Sequence, residues 1–180
     1  MEKYSYITLL SDDSYVYGVI LLQESLRRVD SKYPLKVLVT SNVTPPILEI
    51  LKQLKLEYEV IEPLQYPHIL EHNREVNPIM ATIWELCMSK IRIFQMTEMD
   101  KWIFLDADMM IMKNIDHLFQ CSHMTSALDG EYFNLWPGWD HFNSGILVIE
   151  PNVDEYNNII NFIENDALNE KWRETECIAD

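Results

Sequence analysis

The stretch Trp102 to Met112, WIFLDADMMIM, sets Asp106 and Asp108 two residues apart inside a run that is otherwise apolar. In an extended chain residues i and i+2 project to one face about 6–7 Å apart, so both carboxylates can aim at one point across the small Ala107. Their mutual repulsion is about 2–3 kcal/mol at an effective dielectric near 20, which demands compensation in apolar surroundings. A divalent cation supplies it. Oxygen-only ligands favour Mn2+ or Mg2+, ions commonly held by one or two carboxylates together with the phosphates of a substrate. The competing explanation for such a pair, a solvated strand end, fits poorly with bulky residues on both flanks.

Other chemistries lack their residues. Glycine occurs only at Gly18, Gly130, Gly138 and Gly145, so neither a GxGxxG fingerprint nor a GxxxxGK[ST] loop can be written. HExxH, GxSxG and Cys-His clusters are missing as well. Cys87, Cys121 and Cys177 form no metal spacing, and their odd number suits a reducing compartment rather than a disulfide framework. A net charge of −15 repels a phosphate backbone, so no nucleic acid is expected as a partner. The opening MEKYSYITLLSDD meets acids too early for a signal peptide, and no apolar run reaches membrane length. The expectation is a cytoplasmic protein with no membrane span.

The elements that must position the acid pair alternate. Tyr4 to Leu10 reads as a strand and Tyr15 to Arg28 as a helix with Val16, Val19, Ile20 and Leu26 on one side. Leu35 to Thr40 is a second strand, and Thr44-Pro45 reads as an N-cap and first position of a helix. Glu57 to Ile61 is a third strand, and Ile83 to Met96 a long helix. After the acid pair come a short helical segment at Asn114 to Phe119 and strands at Thr125 to Leu128 and Phe142 to Ile149. A helix then runs from Pro151 to about Asp166. The alternation predicts an α/β fold with a mainly parallel central sheet flanked by helices, built as one domain over residues 1–180.

The string FLDADMMIMKNIDHLF, with MSKIRIF before it and HFNSGILVIEPNVDEY after it, resembles glycosyltransferase family 8, the group of glycogenins and galactinol synthases. The opening YITLLSDDSYVYGVILLQESLRRVDSKYPLKVLV is similar to the start of these enzymes. The resemblance covers nearly the whole chain. It implies a GT-A fold and a retaining glycosyltransferase that takes a UDP-hexose, UDP-glucose or UDP-galactose, with Mn2+ (or Mg2+). By that resemblance Asp106 and Asp108 are metal ligands and the Ala107 backbone lies near the ribose and phosphate. Leu9, Ser11 and Asp12 match uridine-contacting positions, and Tyr15 matches the aromatic on the uracil, where a flat ring suits a flat base. Lys90 matches a basic residue beside the donor, with Arg92 a weaker competitor. Asp129, Asn143 and Ser144 match positions that hydrogen-bond the transferred sugar, and Asp180 the first residue of a D-Q-x-x-L-N segment beside it.

The chain departs from the family at its far end. The family's third metal ligand is a histidine in an H-x-x-G-x-x-K-P-W motif, and none of His68, His72, His117, His123 or His141 begins one. The expectation is therefore a GT-A domain lacking the C-terminal part of the family domain. It is either an N-terminal fragment of a longer glycosyltransferase or a short relative. A non-catalytic UDP-sugar binding module is the alternative. A nucleotidyltransferase or phosphohydrolase built on the same acid pair lacks the usual Gly-rich or His-rich phosphate loop. The acceptor, whether sugar, polyol or protein, stays open, although the aromatic loop EYFNLWPGWDH suits stacking on a ring. A homodimer is also left open.

Overall fold

The computed structural model describes residues 2–64, 86–128 and 142–165. Strands β1 (Tyr4–Leu10), β2 (Leu35–Thr40), β3 (Glu57–Ile61), β4 (Lys101–Leu105), β5 (Ser126–Leu128) and β6 (Phe142–Ile149) form one sheet in the order β3-β2-β1-β4-β6-β5. From β3 to β4 the neighbours run parallel, whereas β6 is antiparallel to β4 and β5 antiparallel to β6. The parallel part matches the β-α alternation. The two antiparallel strands could not be assigned from local pattern, because an apolar octapeptide is equally good in either direction.

Both faces of the sheet are covered, and alternate side chains of each central strand serve different layers. Helices α1 (Val16–Arg28) and α2 (Pro45–Gln53) lie on one face with Tyr6, Leu10, Val37, Val39, Ile103 and Leu105. On the other face Ile7, Leu9, Leu38, Trp102, Phe104 and Leu147 meet residues 88–96 and helix α3 (Val153–Asn165). Two buried faces explain why LKVLVT and KWIFL read as continuous apolar runs rather than alternating ones. Among the described residues no helix is long and apolar enough to cross a membrane.

Local expectations shift at several points. Helix α1 begins at Val16, after a 3-10 turn over Asp13–Tyr15, and buries Leu22 in preference to Ile20. Thr44 holds the N-cap backbone position of α2, but its side chain makes no cap hydrogen bond. Its hydroxyl and N–H both donate to Asp13, at 2.7 and 2.8 Å. Of the expected long helix, 83–85 lie outside the described residues, Leu86 and Cys87 are α-helical, and Met88–Gln95 is a 3-10 helix. Six of its eight residues are buried. Contacts on more than one side replace the single stripe that favours α-helix, and the tighter winding lengthens the segment to about 2.0 Å per residue. The segment after the acid pair is likewise 3-10, at Asp116–Gln120.

Two features make stability predictions. Thr8, in the middle of β1, buries its hydroxyl completely with no hydrogen-bond partner, and a lone buried hydroxyl costs about 1–3 kcal/mol. Thr8→Val should therefore raise the melting temperature, by roughly 2–4 °C for about 1 kcal/mol. A lowered melting point would show that the hydroxyl is satisfied.

Asp116 accepts from Tyr6 Oη and Ser31 Oγ at 2.8 Å each, from Lys32 N at 3.0 Å and from Asn114 Nδ2 at 3.2 Å. Burial pushes its carboxyl up, but these hydrogen bonds together hold it below the usual carboxylate range. A depressed native value means stability present above the unfolded value, near pH 4, and lost as pH falls through the native one. Asp116→Asn should lower the urea midpoint at pH 7, by about 1–3 kcal/mol in unfolding free energy. It should also flatten the loss of stability below pH 4.

Candidate functional site

The chain leaves β1 for β2 and β3 on one side of the sheet and returns as β4 on the other. The crevice between the C-terminal ends of β1 and β4 is thus a topological switch point, where open α/β sheets bind ligands. The turn after β1 carries Ser11, Asp12 and Tyr15, and the turn after β4 carries Asp106, Ala107 and Asp108. Because β6 is antiparallel to β4, its first residues, Phe142, Asn143 and Ser144, come to the same edge.

The acid pair is not in extended chain. Strand β4 ends at Leu105, and the N–H of Met109 donates to Asp106 O at 3.1 Å, closing a turn over 106–109. The spacing inferred from a pleated strand therefore does not apply; the turn aims the side chains. Met110 and Met112, expected as continued apolar strand, are exposed. Asp108 is exposed, Asp106 half-buried and Ala107 buried. The turn is braced on two sides. The N–H of Asp106 donates to Gly145 O at 2.9 Å, extending the ladder to β6 by one step. On the other side Gly18 of α1 faces the Ala107 carbonyl so closely that a β-carbon would stand 2.3 Å from its oxygen. A β-carbon on Gly145 would stand 2.9 Å from both Asp106 Oδ2 and Asn143 Oδ1.

Lys90, which the resemblance implies as a basic residue beside the donor, lies in the structure next to the acid pair. Its Nζ lies 3.4 Å from Asp106 Oδ1, donates to Ser144 Oγ at 3.2 Å and sits 4.8 Å from the centre of the Phe104 ring. The lysine side chain is 5% exposed and that of Asp106 38%. Arg92 goes elsewhere: its Nε donates to Glu62 O at 2.6 Å. Asn143 Oδ1 accepts from Gly145 N–H at 2.8 Å.

The uridine-side residues are held by their own turn. Thr40 Oγ1 donates to Ser11 O at 2.6 Å, and Asp12 Oδ1 accepts from Ser14 N at 2.7 Å, capping the 3-10 turn. Asp12 is thus first a turn-former. Leu9 is a buried core residue beneath the turn. Tyr15 packs against the cluster that contains Leu10, Val16 and Ala107. Burial pushes its hydroxyl up, as do the nearby charges of Asp108 and, to a lesser degree, Cys87, Asp12 and Asp106. Asp129 and Asp180 lie outside the described residues.

Among the described residues no group of three or more His, Cys, Asp or Glu forms a metal cluster. What stands here is a two-carboxylate, all-oxygen set with one exposed member, and the absence of a β-carbon at Gly145 leaves room for Asp106 Oδ2. That set fits a hard divalent ion completing its shell with phosphate and water.

Solved structures define this sheet and its flanking helices as a GT-A fold. The glycosyltransferase GlyE of Streptococcus pneumoniae matches with a TM-score of 0.65 at 16% identity, over 99% of this chain and 42% of that one. The galactosyltransferase LgtC, crystallised with donor and acceptor sugar analogues, matches with a TM-score of 0.63 at 13% identity, over 96% and 69%. The chain belongs to glycosyl transferase family 8, whose sequence model matches residues 6–178. Glycogenin-1 of Oryctolagus cuniculus is 29% identical over 164 residues, 89% of this chain and 45% of that protein. Inositol phosphorylceramide glucuronosyltransferase 1 of Arabidopsis thaliana is 31% identical over 159 residues, 88% and 26%. The chain spans under half the length of these curated relatives.

Sequence reasoning missed Gly18 and Gly145 as parts of the site. The signal was their rarity, since only four glycines occur in 180 residues and one stands inside a helix. In an ordinary helix Gly→Ala stabilises by about 1 kcal/mol. Here Gly18→Ala should instead destabilise by about 1–3 kcal/mol, because the methyl group overpacks against a backbone carbonyl rather than a yielding side chain. The denaturant midpoint gives the sign directly.

Proposed function

We propose that this chain carries the donor half of a retaining glycosyltransferase, binding a UDP-hexose with a divalent cation at Asp106 and Asp108. UDP-glucose and UDP-galactose are the candidate donors. The observation that carries this reading is the meeting of a buried lysine, an aspartate and a serine, Lys90, Asp106 and Ser144, at the switch point beside Tyr15. The three are separated by up to 54 residues in sequence.

Each side chain has a task there. The Tyr15 ring offers a flat apolar surface to the uracil. Lys90, its Nζ over the Phe104 ring, presents its charge to the diphosphate, and a cation is needed in a chain of net charge −15 that must hold a polyanion. The Asn143 amide and the Ser144 hydroxyl face the hexose, and by the family resemblance Asp129 and Asp180 join them. Mn2+ or Mg2+, when bound by Asp106 and Asp108, would neutralise charge on the departing UDP. The braced turn keeps both carboxylates in place beforehand, so little ordering remains when the donor arrives. The three cysteines, odd in number and in no disulfide-framework pattern, suit a reducing compartment and hence the cytoplasm. The acceptor is a sugar, a polyol or a protein side chain. The alternative reading is a UDP-sugar binding module without transfer.

Thermal melting with UDP and Mn2+ tests the site. A ligand at 100 times its dissociation constant adds about 2.7 kcal/mol, and the two together should shift the melting temperature by more than the sum of their separate effects. Asp106→Asn and Asp108→Asn should each remove the synergy. Additive shifts, or synergy that survives both substitutions, would falsify the shared site. UDP release from UDP-glucose or UDP-galactose separates the transferase from the binding module.

A further inference from the structure

We infer that Asn143 is a positioning residue for the acid-pair turn: its side-chain oxygen takes the place of a backbone acceptor and so frees the carbonyl of Asp106 to close that turn. Strands β4 and β6 pair in antiparallel register as far as Leu105 opposite Ile146. The next step, Asp106 against Gly145, keeps one ladder bond, from Asp106 N–H to Gly145 O at 2.9 Å. In a regular antiparallel ladder two residues bonded in this way exchange both bonds, so Gly145 N–H would donate to Asp106 O. Both of those groups are engaged elsewhere. Gly145 N–H donates to Asn143 Oδ1 at 2.8 Å, and Asp106 O accepts from Met109 N–H at 3.1 Å.

Strand β6 is shaped for this exchange. Its pairing with β5 steps from Leu147 opposite Ser126 to Asn143 opposite Ala127, so Ser144, Gly145 and Ile146 face no residue of β5. Such a bulge bends the strand and re-aims its side chains. Here it lets the Asn143 side chain reach the amide two residues on, the bond by which Asn and Asp form local turns. A β-carbon on Gly145 would stand 2.9 Å from both Asn143 Oδ1 and Asp106 Oδ2, so the glycine is what admits the two oxygens side by side. Without the Asn143 oxygen, Gly145 N–H competes with Met109 N–H for the Asp106 carbonyl. The chain after β4 is then drawn into one more step of ladder at the expense of the turn. Asn143 thus acts on the acid pair through Gly145, a role separate from any contact with a hexose.

The consequence for ligands rests on the proposed cation site, whereas the consequence for the turn does not, and the test reads both. Amide hydrogen exchange of the unliganded chain, followed by NMR, measures the turn. Asn143→Leu keeps the size of the side chain without an acceptor, Asn143→Ala removes the side chain, and Asn143→Asp keeps the oxygen. Melting curves identify which acceptor-free variant is folded. In that variant the Met109 amide should exchange about fivefold faster than in the unsubstituted chain, the scale of one hydrogen bond, and Asn143→Asp should restore slow exchange. Unchanged protection of the Met109 amide, or protection lost equally in Asn143→Asp, overturns the role. UDP with Mn2+ carries no hexose, so its joint binding to the acceptor-free variant should weaken by a similar factor. Joint binding that stays unchanged overturns the link from Asn143 to the cation site, because a residue that only touched the sugar would give that result. If the unsubstituted chain does not bind UDP and Mn2+ together, the donor-site reading fails, while the exchange of the Met109 amide still decides whether Asn143 positions the turn.

Discussion

The turn from Asp106 to Met109 is wedged between two glycines. On one side the backbone of α1 approaches the Ala107 carbonyl so closely that only hydrogen fits on Gly18; on the other, Gly145 of β6 accepts from Asp106 N–H and clears space for its carboxylate. Everything proposed for the site depends on this close approach. It fixes the distance from α1 to β4 and so the place of Tyr15, which precedes α1, relative to the carboxylates that follow β4. It also registers β6 against β4, and that register delivers Asn143 and Ser144. Large side chains could not do this, because they would set helix and turn apart by their own volume.

Charge is distributed with equal economy. The chain has 14 lysines and arginines against 29 acids, yet several lysines are largely buried. Lys36 ion-pairs with Glu59 and Glu98, and Lys101 with Glu150. Both lie toward the opposite edge of the sheet from the acid pair, near the starts of β2 and β4, where they bind elements together. Lys90 differs in its partner, an aspartate that is itself turned toward solvent at the switch point. The same chemistry, a lysine ammonium over an aromatic ring and beside a carboxylate, therefore serves packing at one edge and the proposed ligand site at the other.

Much of this was legible. The strands and helices followed from periods and turn residues, and the acid pair, Tyr15 and Lys90 followed from motif resemblance. Two of the failures share a cause. Thr44 read as a capping residue, but its hydroxyl goes to Asp13, which approaches from the turn after β1. Ile83 to Met96 read as an α-helix, but burial on several sides winds Met88–Gln95 as 3-10. The pleated-strand geometry assumed for the acid pair failed because β4 ends one residue before it. In the first two cases a contact with a segment distant in sequence outbid a local preference worth about 1 kcal/mol or less, whereas the turn at the acid pair is closed locally, by Met109 N–H to Asp106 O.

By itself the sequence determined the α/β alternation, the family and the chemical types available at the site. Those are properties of short windows, in which apolar period, turn residues and motif spacing are complete. Only the tertiary structure decided that Lys90 rather than Arg92 meets Asp106, that β6 runs antiparallel and brings Ser144 beneath the lysine, and that Gly18 and Gly145 shape the turn. The physical reason is that these are distances between residues 16 to 89 positions apart. Such distances are set by close packing of the whole sheet and its two layers, which no window of sequence contains.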